Sequence, residues 1–196
     1  MRWLTVILLA LSVAACEQPA QPIYRGSDIT GSNFGLKLAL NDHNGRAVTL
    51  DSFKGKVVVL FFGYTHCPDV CPTILSDIAA AFKLMPAGAP DKVQVLFVTV
   101  DPERDNPEVL KAYVPYFHPS FLGLHGSAAQ VAQSAKEFRI IYRRHVEPGA
   151  EGYLVDHSAG SYVLDSQGRM RLYLPFGHKP EDIANDLMTL LKAEAA

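Results

Sequence analysis

The chain has few cysteines, a single tryptophan and no run of basic residues. Its 196 residues include three cysteines, and the formal net charge is −2. Nucleic acid is therefore not an expected partner, because nucleic-acid-binding domains concentrate lysine and arginine in patches. Two of the cysteines, Cys67 and Cys71, are separated by three residues, and a disulfide that closes so short a loop constrains the unfolded chain very little. A purely structural disulfide is a weak explanation for this pair.

The apolar run at the N-terminus is too short to span a bilayer comfortably. A basic residue, Arg2, precedes it and small residues follow it, which predicts a secretory signal peptide over residues 1–15. The sequence Val-Ala-Ala-Cys that ends at Cys16 resembles the bacterial lipobox, so we expect Cys16 to be lipidated and to begin the mature chain. The alternatives are a signal peptide cut nearby or an uncleaved short anchor. Removing the signal changes the net charge from −2 to −3, since Arg2 is the only charged residue lost.

The remaining chain divides into a tether and one domain. Residues 16–27 contain prolines and no apolar periodicity, which predicts a flexible tether holding the folded domain, residues 28–196, near a membrane surface. An Asn-Gly turn between apolar segments predicts an N-terminal β-hairpin, and we expect His43, in that turn, to be solvated.

Strand and helix patterns then alternate along the chain. Continuous apolar runs predict buried strands at 56–64 and 93–101, and each precedes a helical pattern with proline near its start. A second hairpin over 162–174 and a helix over 180–193 close the domain. This order predicts the α/β class, with a mixed central sheet covered by helices on both faces. A thioredoxin-like sandwich is the most economical such fold, because its active loop also leads from a central strand into a helix N-terminus.

Chemistry is concentrated in the segment GYTHCPDVCPT, which joins the first buried strand to the first helix. We expect Cys71 at the helix cap and Cys67 just before it to have lowered thiol pKa values, because a helix N-terminus favours negative charge. A thiolate is both a nucleophile and a soft metal ligand. The Cys-x-x-x-Cys spacing is one residue longer than the Cys-x-x-Cys of thioredoxin-type oxidoreductases, which leaves room for both sulfurs to face one ion.

A second departure from thioredoxin-type oxidoreductases concerns proline. Those proteins place a cis proline opposite the dithiol, but this chain has no proline between Pro148 and Pro175, and His157 lies near the corresponding position. Two thiolates and an imidazole suit copper, since cysteine selects Cu(I) and a nitrogen donor accommodates Cu(II). Zinc is the competing metal, but it normally takes four ligands and the folded domain offers no further cysteine.

From the residues alone, His157 is either a metal ligand or a histidine whose ring is hydrogen-bonded to Asp156 or Ser158. The nearest rival ligand is His66, whose side chain we expect to point away from Cys67. Asp101 ends the second buried strand. Its carboxylate either caps a turn there or tunes the metal ligands without binding the metal itself.

Three motifs together resemble the Sco/SenC family of copper-binding assembly factors for cytochrome c oxidase. They are FFGYTHCPDVCPT, VTVDPERDNPEVLKAY and VDHSAGSYVLDSQGR, in that order, and the resemblance extends from about residue 28 to the C-terminus. It implies a thioredoxin-like fold with copper, as Cu(I) and Cu(II), bound by Cys67, Cys71 and His157. Asp69, Asp101 and Asp156 are then candidates for carboxylates that tune the ligands without binding the metal.

The resemblance also implies partners and a location. It predicts a metallochaperone, with no turnover chemistry of its own, that acts on the dinuclear copper centre of oxidase subunit II. A periplasmic copper donor and a thiol reductant would serve it, and we expect a monomer in the bacterial periplasm, lipid-anchored to the inner membrane. The alternative is a thiol-disulfide oxidoreductase using Cys67 and Cys71 to reduce the oxidase subunit or another copper chaperone. A peroxidase of the peroxiredoxin type is disfavoured, because the loop lacks the Thr-x-x-Cys pattern of that class.

Overall fold

The computed structural model describes residues 22–146 and 152–194. The strands are β1 (Ser27–Asp28), β2 (Ala39–Asp42), β3 (Ala47–Thr49), β4 (Val57–Gly63), β5 (Val93–Thr99), β6 (Leu122–His125), β7 (Tyr142–His145), β8 (Leu154–His157), β9 (Ser161–Leu164) and β10 (Met170–Leu174). The helices are α1 (Val70–Leu84), α2 (Pro107–Phe117), α3 (Ala128–Glu137) and α4 (Pro180–Ala193), with single 3-10 turns at Leu50–Phe53 and Pro90–Lys92.

The predicted signal peptide, Cys16 and most of the predicted tether lie outside the described residues. The end of the tether region is attached to the domain, because the backbone N–H groups of Arg25 and Gly26 each donate to the buried carboxylate of Asp186, at 2.7 Å. β1 then pairs with β10. In the described part of the chain, no helix combines the length and the apolar character that a bilayer crossing needs.

The core is built on β4 and β5, as the apolar runs predict. Every residue of both strands is buried, and they pair in parallel from Val57 opposite Val93 to Gly63 opposite Thr99. The larger sheet has the order β1-β10-β9-β4-β5-β6-β2-β3, and it is mixed, because β5 also pairs in parallel with β6 while β9 runs antiparallel to β4. The predicted mixed central sheet is therefore confirmed.

Helices cover both faces of this sheet, which is also as predicted. The crossovers β4-α1-β5 and β5-α2-β6 advance in the same direction, so right-handed connections put α1 and α2 on one face, where α4 packs beside α1. On that face Phe97 contacts Tyr113 of α2, with ring centroids 5.8 Å apart. Phe62 points to the other face and meets Phe138, at the end of α3, at 5.6 Å.

Both predicted hairpin turns have the sequence Asp-x-x-Gly-Arg. In each turn the aspartate accepts backbone N–H groups two and four positions later and pairs with the arginine side chain, at 2.8 Å for Asp42 with Arg46 and 2.7 Å for Asp165 with Arg169. The glycines have φ values of 83° and 78°, which only glycine adopts without strain.

The expectation that His43 is solvated is wrong. Its side chain is 7% exposed, and its Nδ1 accepts a hydrogen bond from the backbone N–H of Gly123 at 3.0 Å. The reason is the long-range pairing of β2 with β6. Because β2 lies between β6 and β3 in the sheet, His43, the first residue after β2, is covered.

Candidate metal centre

Two cysteines and one histidine converge at the C-terminal end of β4. One ligand atom from each of Cys67, Cys71 and His157 lies within 4.8 Å of the other two, and this is the only such group of three among the described residues. Cys71 and His157 are 86 positions apart in the chain, and Cys71 Sγ lies 3.3 Å from His157 Nε2. The side chains that the sequence predicts as ligands therefore meet at one point.

The two sulfurs differ in exposure because of where helix α1 begins. The helix starts at Val70 with Asp69 as its N-cap, so Cys71 lies within the first turn rather than at the cap position expected from the sequence. Cys71 is fully buried there, whereas Cys67 is only partly buried. The site therefore has one interior sulfur and one sulfur that solvent and a partner can reach.

The thiols also differ in acidity. The pKa of Cys67 is lowered to about 4, chiefly because it accepts a hydrogen bond from the Cys71 thiol; the backbone N–H groups of Cys71 and Asp69 add to this, against the opposing effect of burial. The pKa of Cys71 is raised, first by burial and then by its hydrogen bond to Cys67. The expectation that both thiol pKa values are lowered is thus right for Cys67 and wrong for Cys71. In the metal-free protein at neutral pH, Cys67 is therefore a thiolate and Cys71 a thiol.

This asymmetry predicts an unusual pH dependence of alkylation in the reduced, metal-free protein. Because the folded-state pKa of Cys67 lies below the ordinary value of 9.0, the rate of its reaction with iodoacetamide should be nearly constant from pH 9 down to pH 5 and should fall only near pH 4. Peptide mass spectrometry of timed samples measures the rate and should find Cys71 almost unlabelled. A rate that drops about tenfold per pH unit below pH 8 would contradict the assignment, and Cys67→Ser is the control for specific labelling.

His157 presents its metal-binding nitrogen to the sulfurs. Its Nδ1 lies 3.0 Å from the carbonyl oxygen of Ser158, which can only accept, so Nδ1 carries the proton and Nε2 has a free lone pair. The ring is held edge-on by Phe61 and Tyr64, with centroid distances of 5.9 and 5.8 Å. If His157 were not a ligand, Asp156 or Ser158 would be expected to satisfy its hydrogen bonding. Ser158 is such a partner, whereas Asp156 lies 3.2 Å from His145 instead.

Cys67 and His157 border an open cleft of about 270 Å³, whereas the buried Cys71 is not part of its lining. Much of its wall is apolar, from Pro68, Val70, Leu154 and Ala159. An open cleft with partly exposed donor atoms lets an incoming protein ligand approach the bound species directly.

Gly63 permits the close packing behind Cys71. A Cβ atom at position 63 would lie 2.7 Å from Cys71 Sγ and 2.9 Å from the rings of Phe61 and Phe97. These are closer than van der Waals contact, and all three neighbours are themselves fully buried. A side chain at this position must therefore displace the sulfur or the two rings.

Gly63→Ala is expected to destabilise the metal-free protein by about 1–3 kcal/mol, the usual cost of overpacking a core. The midpoint of urea denaturation measures this, with a chelator present so that metal binding does not contribute. An unchanged midpoint would mean that the sulfur of Cys71 does not occupy this position.

None of the three candidate carboxylates belongs to the ligand group. Asp69 caps α1 and its backbone oxygen accepts from the N–H of Thr73, while a carboxylate oxygen of Asp156 lies 3.2 Å from His145 Nδ1. Asp101 is fully buried and bonded to arginine and tyrosine side chains. The rival histidine, His66, is also outside the group, with Nδ1 3.1 Å from the hydroxyl of Thr65.

Sequence reasoning missed Asp105. Its buried carboxylate accepts hydrogen bonds from the backbone N–H and the hydroxyl of Thr65, at 3.0 and 2.6 Å, two residues before Cys67. It also accepts from the hydroxyl of Thr99 at 2.7 Å. The available signal was the second aspartate of the segment DPERD, which follows a buried strand as the first one does.

Comparison with known proteins gives a consistent family. The SCO1/SenC family model matches residues 26–192. The human protein SCO2 homolog, mitochondrial, is 40% identical over 150 residues, which cover 76% of this chain and 56% of the human protein. The chain thus spans a little over half the length of that relative.

Two solved structures are similar along almost their whole length. Bradyrhizobium japonicum ScoI with copper bound has 40% identity and a TM-score of 0.71, covering 79% of this chain and 97% of that one. A SCO1/SenC family lipoprotein from Bacillus anthracis has 26% identity and a TM-score of 0.67, covering 86% of this chain and 99% of that one. The thioredoxin-like fold predicted from the sequence is confirmed by these neighbours.

Proposed function

Because the chain belongs to the SCO1/SenC family, we propose that it is a copper metallochaperone that aids assembly of the dinuclear copper centre of cytochrome c oxidase subunit II. It binds one copper ion as cargo through Cys67, Cys71 and His157. The observation that carries the proposal is the convergence of two sulfurs and one imidazole nitrogen within 4.8 Å.

The donor set suits copper in both oxidation states. Thiolates select Cu(I), and the imidazole nitrogen supports Cu(II). The similar protein from Bradyrhizobium japonicum is described with copper bound. A lowered pKa of Cys67 supplies one thiolate at neutral pH, and copper itself displaces the proton of Cys71, since ligand cysteines bind metal as thiolates.

Delivery requires ligand exchange at the open side of the site. Cys67 and His157 are partly exposed, so cysteines or histidines of a target can replace them first, and buried Cys71 releases the ion last. The dithiol must be reduced to hold copper. Oxidation of the Cys67 thiolate and the Cys71 thiol to a disulfide removes two electrons and one proton, to be taken up by an oxidant such as a disulfide of a partner, and abolishes binding.

A metal titration of the reduced protein tests the proposal. Competition with a chelator of known affinity should reveal one tight copper site per chain, and native mass spectrometry should show one copper. Deletion of the gene in its host should lower the amount of copper-loaded oxidase subunit II. A protein that binds zinc in preference to copper, or no metal at all, would refute the metallochaperone role.

A second candidate function, thiol-disulfide oxidoreductase, is favoured by the asymmetry of the thiols. The Cys67 thiolate would attack a disulfide of the oxidase subunit or of another chaperone, forming a mixed disulfide and releasing one partner thiol. Cys71, losing its proton, would then attack Cys67 and release the second thiol, which leaves the Cys67–Cys71 disulfide for a periplasmic reductant. This function needs no imidazole, so restoration of oxidase assembly by His157→Ala would favour it over copper delivery.

We further propose that the protein is a monomer held on the periplasmic side of the inner membrane by a lipid on Cys16. The support is the lipobox-like sequence that ends at Cys16 and the similar Bacillus anthracis protein, which is described as a lipoprotein. Cys16→Ser should leave the protein in the soluble periplasmic fraction, whereas retention in the inner membrane would contradict lipid anchoring.

A further inference from the structure

The hairpin that carries His157 is separate from the main sheet. Among residues 22–146 and 152–194, strands β7 and β8 pair only with each other, and His157 is the last residue of β8. A two-stranded hairpin is at best marginally stable by itself. Other contacts must therefore fix the position of His157 relative to the cysteines.

Asp101 supplies such contacts to both arms of the hairpin. Its fully buried carboxylate accepts from the Tyr153 hydroxyl, just before β8, at 2.8 Å and from Arg144, in β7, at 3.3 Å. It also pairs with Arg104. The guanidinium of Arg104 donates to the backbone oxygen of Tyr153 at 2.9 Å and lies 3.7 Å from the centroid of the Tyr153 ring.

Asp105, four residues later, makes the equivalent contacts to the cysteine loop. It holds the backbone N–H and the hydroxyl of Thr65, two residues before Cys67. The hydroxyl of Thr99 joins the two aspartates, because it donates to Asp105 at 2.7 Å and accepts from the backbone N–H of Asp101 at 2.9 Å.

The segment between the aspartates is itself closed. The backbone N–H groups of Arg104 and Asp105 donate to the backbone oxygen of Asp101, at 3.2 and 3.0 Å. The two buried carboxylates are therefore held at a fixed spacing at the end of β5.

We propose that the segment Asp101–Asp105 is a bracket that sets the distance between the two halves of the site. Asp101 is a positioning residue for His157 through the hairpin, and Asp105 is a positioning residue for Cys67 through Thr65. Neither binds copper. The effect on copper rests on the proposed function, but the positioning of the two segments does not.

Hydrogen exchange of the metal-free protein tests the bracket without copper. Asp101→Asn should speed exchange of the β7 and β8 amides roughly tenfold or more, as expected for weakened bonds to a charged group, and should leave the amide of Thr65 unchanged. Asp105→Asn should speed exchange of the Thr65 amide and leave the β7 and β8 amides unchanged. The matched control is Asp165→Asn, which alters another fully buried carboxylate paired with arginine and should affect neither segment. Equal effects of Asp101→Asn and Asp105→Asn on both segments would overturn the bracket.

A double-mutant cycle then separates positioning of His157 from general destabilisation. Asp101→Asn should weaken copper binding roughly tenfold in the otherwise native protein and less than about twofold when His157→Ala is also present. Asp105→Asn should weaken binding by the same factor in both backgrounds. An equal effect of Asp101→Asn in both backgrounds would overturn the role assigned to Asp101.

A milder variant guards against misfolding of the aspartate variants. Tyr153→Phe removes only the hydroxyl bonded to Asp101 and should shift hairpin exchange and copper affinity in the same direction by smaller factors; no shift in either would overturn the bracket. If the native protein binds no copper, the proposed function fails, while the exchange experiment still decides the bracket.

Discussion

Cys71→Ser is expected to weaken Cu(I) binding on the order of a hundredfold or more. The free energy of about 10–16 kcal/mol that four-ligand zinc sites provide corresponds to roughly 3 kcal/mol per ligand, or about a hundredfold in affinity. Copper should lose at least this much, because Cu(I) prefers thiolate and a serine hydroxyl stays protonated and hard. Competition with a Cu(I) chelator under reducing conditions measures the change.

The control must account for the burial of Cys71. Serine there places a hydroxyl in the core, which can destabilise α1 without any reference to metal. Ala81→Ser makes the same kind of change at another fully buried position of α1 and leaves every proposed ligand in place. It should keep native copper affinity. Equal losses in both variants would show that Cys71 acts through packing alone.

His157→Ala is expected to weaken Cu(II) binding on the order of a hundredfold and Cu(I) binding by roughly tenfold. The difference arises because the two thiolates that remain satisfy Cu(I) better than Cu(II). The thiolate-to-Cu(II) charge-transfer absorption should also shift, since the nitrogen donor is lost. Parallel titrations with the two oxidation states, followed by absorption spectroscopy, measure both effects.

His145→Ala is the matched control for this second experiment. His145 belongs to the same hairpin and lines the same cleft, but it lies outside the ligand group. Its replacement should leave both affinities within about twofold of the native values, as expected for a residue that does not bind the metal. If His145→Ala and His157→Ala weaken Cu(II) binding equally, the nitrogen donor has been assigned wrongly.

The fold was predictable because its strongest signals are local. The apolar runs that became β4 and β5, and the Asp-x-x-Gly-Arg turns, depend on residues close together in the chain. The neighbours of β2 could not be predicted in this way. Its pairing with β6 joins segments about eighty residues apart and explains why His43 is buried.

The site was predictable in its composition but not in its electrostatics. The spacing of Cys67 and Cys71 and the family resemblance pointed to the residues that the structure brings together. The acidity of the two thiols depends on which sulfur is buried and which accepts the hydrogen bond, and that follows from the start of α1 at Val70. The rule that a helix N-terminus lowers the pKa of a nearby thiol applies to both cysteines, so it cannot distinguish their acidities.

Asp105 illustrates a different limit. An aspartate after a strand is typical of a turn, and the sequence does not indicate that its carboxylate reaches back to Thr65 across 40 residues. Only the parallel pairing of β4 and β5, which brings their C-terminal ends together, makes that contact available.

The central claim is that two sulfurs and one imidazole nitrogen bind the same copper ion. X-ray absorption spectroscopy at the copper edge, on reduced protein carrying one equivalent of copper, tests it most directly. We predict two sulfur neighbours and one nitrogen neighbour, with the nitrogen lost in His157→Ala. A copper ion surrounded only by nitrogen or oxygen, or a spectrum that His157→Ala leaves unchanged, would contradict the account.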